Sequence, residues 1–136
     1  MLLPTHLLFA ALVGKISFPS AIFPCVLGGL LPDADIILGK ATSHQGRFAK
    51  ALSHRGALHS AWAAMIFSFP FLFANGDAAL AFLSGYLSHL LLDALTPAGV
   101  RILYPSLHLR GPFKTGSVWD YILLAASMTS LLFLLL

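Results

Sequence analysis

Five apolar segments account for most of this chain, and they suit a lipid bilayer better than water. They cover residues 2–14, 18–38, 57–74, 78–95 and 118–136. A helix needs about 20 apolar residues to cross the hydrocarbon core, so the last four segments are long enough, whereas the first is expected to be tilted or partly inserted. The sequence therefore predicts an all-α integral membrane bundle of about five helices.

The shortage of charged residues argues against a soluble monomer. Charged residues make up 10% of the 136 and hydrophobic residues 58%, whereas soluble domains carry about 25% charged residues. Eight basic side chains against five acids give a net charge of +3 without any basic run, so no nucleic-acid partner is expected. No linker or repeat divides the chain, and we expect a single membrane-embedded domain over residues 1–136.

The basic residues indicate how the chain is oriented. Most of them lie in the loops after the second and fourth segments: Lys40, Arg47, Lys50, Arg55, Arg101, Arg110 and Lys114. Because basic loops stay on the cytoplasmic side, we expect these loops and the N-terminus there, and the C-terminus on the opposite side. Bends or close helix contacts are expected where prolines and glycines interrupt the spans. These residues are Pro19, Pro24, Gly28, Gly29 and Pro70.

Ionisable residues within the predicted spans are the main indication of function, because such groups are costly in a membrane. Eight of them meet at the cytoplasmic level of the predicted bundle: His6, Asp33, Asp35, His54, His59, His89, Asp93 and Asp120. His89 and Asp93 are four residues apart, so on a helix both point from one face. Structural alternatives stay open, since this pair can join helices by hydrogen bonds and Asp33 and Asp35 can cap a turn.

A mixed set of imidazoles and carboxylates without thiolates suits zinc, manganese or iron, and zinc is the first choice. A catalytic zinc takes three protein ligands and a water, so the candidates exceed the need of one ion. Arg55 can hold a substrate phosphate through two hydrogen bonds, or it is one more basic residue on the cytoplasmic side. His44 and His108 lie in the basic loops and are expected to be exposed and outside the site.

The order of the motifs along the chain resembles that of a known protein family. The motifs are His6, Leu31-Pro32-Asp33-Ala34-Asp35, His54-Arg55-Gly56, His59-Ser60, Gly85-Tyr86-x-x-His89-x-x-x-Asp93 and Thr96-Pro97-x-Gly99. Together they resemble the YdjM/YbcI-like family of bacterial inner-membrane proteins, whose label as metal-dependent hydrolases rests on such motifs. That family is similar in motif order to the zinc-dependent phospholipase C and single-strand nuclease superfamily.

The resemblance also implies roles for individual residues. Asp33 would be a metal ligand or the partner of one, and Asp120 stands where a glutamate is expected, which puts a ligand role there in doubt. The ligands implied by the resemblance are His6, Asp35, His54, His59, His89 and Asp93.

These observations favour a membrane-bound, metal-dependent hydrolase of the bacterial inner membrane, with its site on the cytoplasmic side. Water activated by one to three divalent ions would attack an ester or phosphoester of a lipid or other amphiphile, with Asp33 and Arg55 acting on the reaction. Two other functions stay open: a small proton- or ion-coupled transporter, and a non-catalytic membrane protein braced by metal. The sequence leaves the substrate, the identity of the metal and the oligomeric state open.

Overall fold

The computed structural model describes residues 1–34 and 56–136, which fold into helices and one small β-hairpin. Five α-helices lie in this part of the chain: α1 (Leu3–Ser17), α2 (Ile22–Leu30), α3 (Ala61–Ser68), α4 (Gly76–Ala94) and α5 (Val118–Leu135). Short 3-10 turns occupy Pro19–Ala21, Leu31–Asp33 and Phe69–Phe73. The mostly helical fold agrees with the sequence, whereas the hairpin was not predicted.

Helix α4 lies at the centre of the fold. It packs against α1, α2 and α3, while α5 packs against α1 on the outside. The side chains of Phe82, Tyr86 and Leu90 on α4 are buried together with Ala63 and Ala64 of α3. Every other helix near the site therefore takes its position from α4, directly or through α1.

Glycines allow α2 and α4 to approach closely. A Cβ atom added at Gly28 would overlap the backbone carbonyl oxygen of Phe82, and one at Gly85 would overlap that of Cys25. Small residues at helix crossings are typical of membrane proteins, where close backbone packing drives association. The close helix contact predicted at Gly28 is thus confirmed.

The hairpin follows α4 and consists of β1 (Val100–Leu103) and β2 (Leu107–Leu109), paired antiparallel. Val100 is buried against the α3 and α4 core, and Ile102 packs against its edge. The backbone of Gly111 donates to the carbonyl oxygen of Thr96 at 3.0 Å, and that of Phe113 donates to Leu95 at 3.0 Å. These bonds fix the hairpin to the C-terminal end of α4.

One helix in the described ranges, α5, is long and apolar enough to cross a membrane, with a mean hydropathy of 1.8. The prediction of four full-length spans is therefore not confirmed by residues 1–34 and 56–136. Proline explains part of the difference, because Pro19 and Pro32 lie in the 3-10 turns that bound α2 and Pro70 lies in the turn after α3. Helices α2 and α3 are therefore shorter than the apolar segments in which they lie.

Candidate metal centre

Three histidines and two aspartates from different parts of the fold converge on one place, here called the His/Asp cluster. His6 lies on the first turns of α1, and Asp33 ends the 3-10 turn that follows α2. His59 lies in the turn before α3, and His89 and Asp93 lie on successive turns of α4. The structure thus brings together the five predicted ligand candidates that fall within the described residues.

The donor atoms of the His/Asp cluster lie close to one another. Nε2 of His6 is 3.3 Å from Oδ1 of Asp93. Nε2 of His59 is 3.7 Å from Oδ1 of Asp33 and 3.7 Å from Oδ2 of Asp93. Nε2 of His89 is 3.7 Å from Oδ1 of Asp33 and 3.9 Å from Oδ2 of Asp93. Each carboxylate therefore faces more than one imidazole.

Two subsets of the cluster have the spacing of a metal site. In the set His6, Asp33 and His89, one ligand atom from each residue lies within 4.8 Å of the others, and the same holds for His59, His89 and Asp93. Donor atoms around a tetrahedral zinc ion are about 3.4 Å apart, because each bond is about 2.0–2.2 Å long. Small side-chain movements would bring either set to that geometry.

The hydrogen bonds of His89 direct one nitrogen into the cluster. Its Nδ1 lies 2.7 Å from the backbone carbonyl oxygen of Gly29, so we assign the proton to Nδ1, which donates to that oxygen. Nε2 then carries a lone pair, and it is buried without a hydrogen-bond partner in the described part of the chain, as is Nδ1 of His6. Buried polar atoms are rarely left in this state, and a divalent ion would satisfy them.

The rings of the three histidines pack against one another. The rings of His6 and His89 stack with their centroids 3.8 Å apart and their planes 15° from parallel. His59 approaches the edge of His89 at a centroid distance of 5.3 Å. The three imidazoles are therefore held in one small volume beside the two carboxylates.

The carboxylates differ in exposure. Asp93 is 2% exposed, and its Oδ1 also accepts a hydrogen bond of 2.8 Å from the amino group of Met1. The side chain of Asp33 is 17% exposed, whereas the three histidines of the cluster are at most 2% exposed. Asp33 is thus the member of the described cluster that solvent or a substrate reaches most readily.

Comparison with known proteins decides the family. A family model described as YdjM inner membrane protein matches residues 1–136. The chain belongs to this family. It is also similar to two curated proteins named inner membrane protein YdjM, from Escherichia coli (strain K12) and Shigella flexneri. Each is 40% identical to it over 98 residues, which is 64% of this chain and 48% of the relative.

The chain spans about half the length of the curated YdjM relatives that it matches. No solved structure matches it. The names of the relatives give a location in the inner membrane and no activity.

In this YdjM-family protein Asp120 has a different role from the cluster. Its Oδ2 accepts hydrogen bonds from the backbone N–H groups of Leu2 at 3.0 Å and Gly116 at 2.9 Å, and its Oδ1 accepts one from the Thr5 hydroxyl at 2.7 Å. It is completely buried and belongs to neither candidate metal set. Asp120 therefore anchors the start of α1, which carries His6, to the first turn of α5. An acid in a helix's first turn was the one sequence signal that pointed to this anchor.

Several predicted residues fall outside the described part of the chain. They are Asp35, His44, His54 and Arg55. Their predicted roles as ligands, or as a phosphate-binding residue in the case of Arg55, stay predictions. His108 is exposed on β2 and belongs to neither candidate metal set, as expected.

Proposed function

We propose that this YdjM-family protein is a membrane-bound, metal-dependent hydrolase that cleaves an ester or phosphoester of a lipid. The observation that carries the proposal is the buried His/Asp cluster, in which imidazole nitrogens of His6 and His89 have no hydrogen-bond partner among the described residues. Burying polar atoms without hydrogen bonds lowers the stability of the folded protein. A purely structural role therefore does not explain such a cluster.

The donors of the cluster are imidazoles and carboxylates, which suit zinc, manganese or iron, and zinc is the first choice. Both candidate sets use His89, whose Nδ1 is engaged by Gly29 and which therefore offers only Nε2. The described residues thus support one ion at a time. Further ions would need ligands from the predicted residues Asp35 and His54.

The residues of the cluster have different roles in the proposed reaction. When bound, a divalent ion supplies a water of lowered pKa and stabilises negative charge on the substrate. His59, His89 and Asp93 form one of the two candidate sets, are each at most 2% exposed and would hold the ion. Asp33, at the exposed side of the cluster, would orient the attacking water and accept its proton. Arg55 would bind the substrate phosphate.

The proposed location is the cytoplasmic face of the inner membrane, with several helices embedded in the lipid. Large apolar side chains are exposed on several helices, among them Phe23 at 75%, Ile66 at 69% and Phe133 at 80%. Lipid would cover such surfaces. Asp120 links the first turn of α5 to Leu2 and Thr5, so the His/Asp cluster lies level with the end of the apolar helix. This depth suits the headgroup region, where the esters of a phospholipid lie.

The first test is the metal content of the full chain, purified in detergent and measured by mass spectrometry. We expect about one ion per chain in the wild type. The variant His89→Ala/Asp93→Asn lacks two of the candidate donors, so we expect it to retain less than about a tenth of that metal content. Asp77→Asn is the control, since Asp77 is an exposed acid on α4 outside the cluster. A folded wild-type protein that binds neither zinc nor manganese would contradict the proposal.

The second test is hydrolysis by the metal-loaded protein. Phospholipid vesicles and a soluble phosphodiester are incubated with the wild type, and the released products are identified. We expect turnover that disappears in the His89→Ala/Asp93→Asn variant. A protein that holds metal firmly and cleaves none of these esters would instead support a metal-braced membrane protein.

A further inference from the structure

The β-hairpin carries a group of basic side chains that takes no part in the His/Asp cluster. Arg101 on β1 lies directly opposite His108 on β2, and Arg110 follows two residues later. All three are exposed, whereas Val100 and Ile102 pack toward the core. Because side chains alternate along a strand, the three basic residues share the outer side of the hairpin. We refer to Arg101, His108 and Arg110 as the cationic face.

His108 holds the guanidinium group of Arg110 in place. Nε2 of His108 lies 3.2 Å from the carbonyl oxygen of Ala98 and 3.4 Å from Nε of Arg110. Nη2 of Arg110 lies 3.3 Å from Nδ1 of the same ring. The guanidinium group of Arg110 therefore lies against the His108 ring, and its remaining N–H groups are available to a ligand.

The backbone at Gly99 leaves room for the side chains of His108 and Arg110. Gly99 has a φ of +68°, and a Cβ atom there would overlap the carbonyl oxygen of Leu109. The same Cβ would lie 2.6 Å from Cγ of Arg110 and 2.9 Å from Nε2 of His108. Only a residue without a side chain lets both of them pack against the turn that precedes β1.

No carboxylate neutralises the cationic face within residues 1–34 and 56–136. The aspartates described there are engaged elsewhere, or lie at the far end of α4 in the case of Asp77. Neither Arg101 nor Arg110 has an ion-pair partner in this part of the protein. Among the described residues, the two guanidinium groups are therefore available to bind an anion.

The hairpin lies at the level where headgroups are expected. Phe113, which is hydrogen-bonded to Leu95 at the end of α4, packs against Trp119 with ring centroids 5.4 Å apart. Trp119 is in the first turn of the apolar helix α5 and is 56% exposed. Tryptophan at the end of a spanning helix marks the interface between membrane and water. Leu107 and Leu109 add exposed apolar surface on the other side of β2.

We propose that the cationic face binds the headgroup phosphate of an anionic phospholipid. Arginine forms paired hydrogen bonds to phosphate, and a pre-positioned guanidinium loses little side-chain entropy on binding. The charge, the exposed leucines and the interfacial level together favour a lipid over a soluble phosphate. This lipid binding requires neither hydrolysis nor a metal ion, so the outcome of its test is independent of the function proposed above.

The test uses the full chain in lipid nanodiscs and the fluorescence of Trp119. The protein has two tryptophans, so Trp62→Phe leaves Trp119 as the sole reporter. Quenching by brominated phosphatidylglycerol is compared with quenching by brominated phosphatidylcholine, which gives a relative binding constant. We expect a preference for phosphatidylglycerol that falls about fivefold for each arginine removed in Arg101→Gln and Arg110→Gln.

Two further variants and the addition of inorganic phosphate serve as controls for this experiment. Lys15→Gln is the charge-matched control, because Lys15 lies at the opposite end of α1 from His6, and it should keep the full preference. Gly99→Ala should weaken the preference while leaving every charge in place. Added inorganic phosphate should have no effect, and if it abolishes the preference the site is one for a soluble phosphate. Equal quenching by the two lipids in the wild type, or an equal loss in Lys15→Gln, would overturn the proposal.

Discussion

Gly85→Ala is expected to lower the free energy of unfolding by about 3 kcal/mol or more, a large effect for one methyl group. The added Cβ would overlap the carbonyl oxygen of Cys25, which belongs to the backbone of α2 and cannot rotate away as a side chain could. Helices α2 and α4 would have to move apart. Thermal unfolding of the detergent-purified protein, followed by circular dichroism, measures the loss.

The same substitution should also reduce metal binding, although Gly85 offers no ligand. The close crossing of α2 and α4 brings the carbonyl oxygen of Gly29 to within 2.7 Å of Nδ1 of His89. If the helices separate, this bond is lost and Nε2 of His89 is no longer directed into the cluster. We therefore expect metal content to fall in those Gly85→Ala molecules that remain folded.

Gly76→Ala provides the matched control on the same helix. Nothing lies within 4 Å of a Cβ added at Gly76, the first residue of α4. Alanine there should leave stability unchanged or raise it slightly, because alanine favours the helix more than glycine does. If the Gly85 and Gly76 variants unfolded at the same temperature, the close packing of α2 and α4 described above would be wrong.

Asp120→Ala is expected to cost about 3 to 5 kcal/mol of stability. Its carboxylate is fully buried and accepts hydrogen bonds from Leu2, Thr5 and Gly116. Alanine would leave the buried Thr5 hydroxyl without its acceptor, which costs about 1–3 kcal/mol, and the loss of the part-buried hydrogen bonds from Leu2 and Gly116 adds about 0.5–1.5 kcal/mol each. The start of α1 would be released from α5, so the position of His6 would also become less defined.

Asp120→Asn separates the hydrogen bonds from the charge. The amide oxygen can accept from the backbone groups of Leu2 and Gly116, and the amide nitrogen can donate to the Thr5 hydroxyl, which also acts as an acceptor. We expect a loss of about 1 kcal/mol, much less than for alanine. The control is Asp77→Asn, an exposed acid in the first turn of α4, which should cost less than about 1 kcal/mol. Equal losses for Asp120→Ala and Asp120→Asn would show that hydrogen bonding is not the source of the effect.

The convergence of the His/Asp cluster could be predicted from the sequence because it depends on topology more than on packing. His6 lies near the start of α1, Asp33 follows the end of α2, and Asp93 lies near the end of α4. Successive antiparallel helices place these positions at one level. The spacing of four residues between His89 and Asp93 also predicts their shared helix face.

Features that depend on distant contacts could not be predicted in this way. Two of the three partners of Asp120, Thr5 and Leu2, lie 115 and 118 residues away along the chain, so its sequence neighbourhood carries no sign of them. The hairpin consists of two short strands, and its segment has no typical two-residue turn. The apolar segments indicated where helices lie, but proline and 3-10 turns determined where they end.

The anchoring of α1 by residues far along the chain has a consequence for how the protein is made. The described ligands begin at His6, but neither candidate metal set is complete until His89 has been synthesised. The bonds from Leu2 and Thr5 to Asp120 form only after the residues up to Asp120 have left the ribosome. Until then the start of α1, which carries His6, lacks its anchor on α5. A metal ion bound at either candidate set would therefore have to be acquired after α4 has been made, and the anchored position of His6 would require α5 as well.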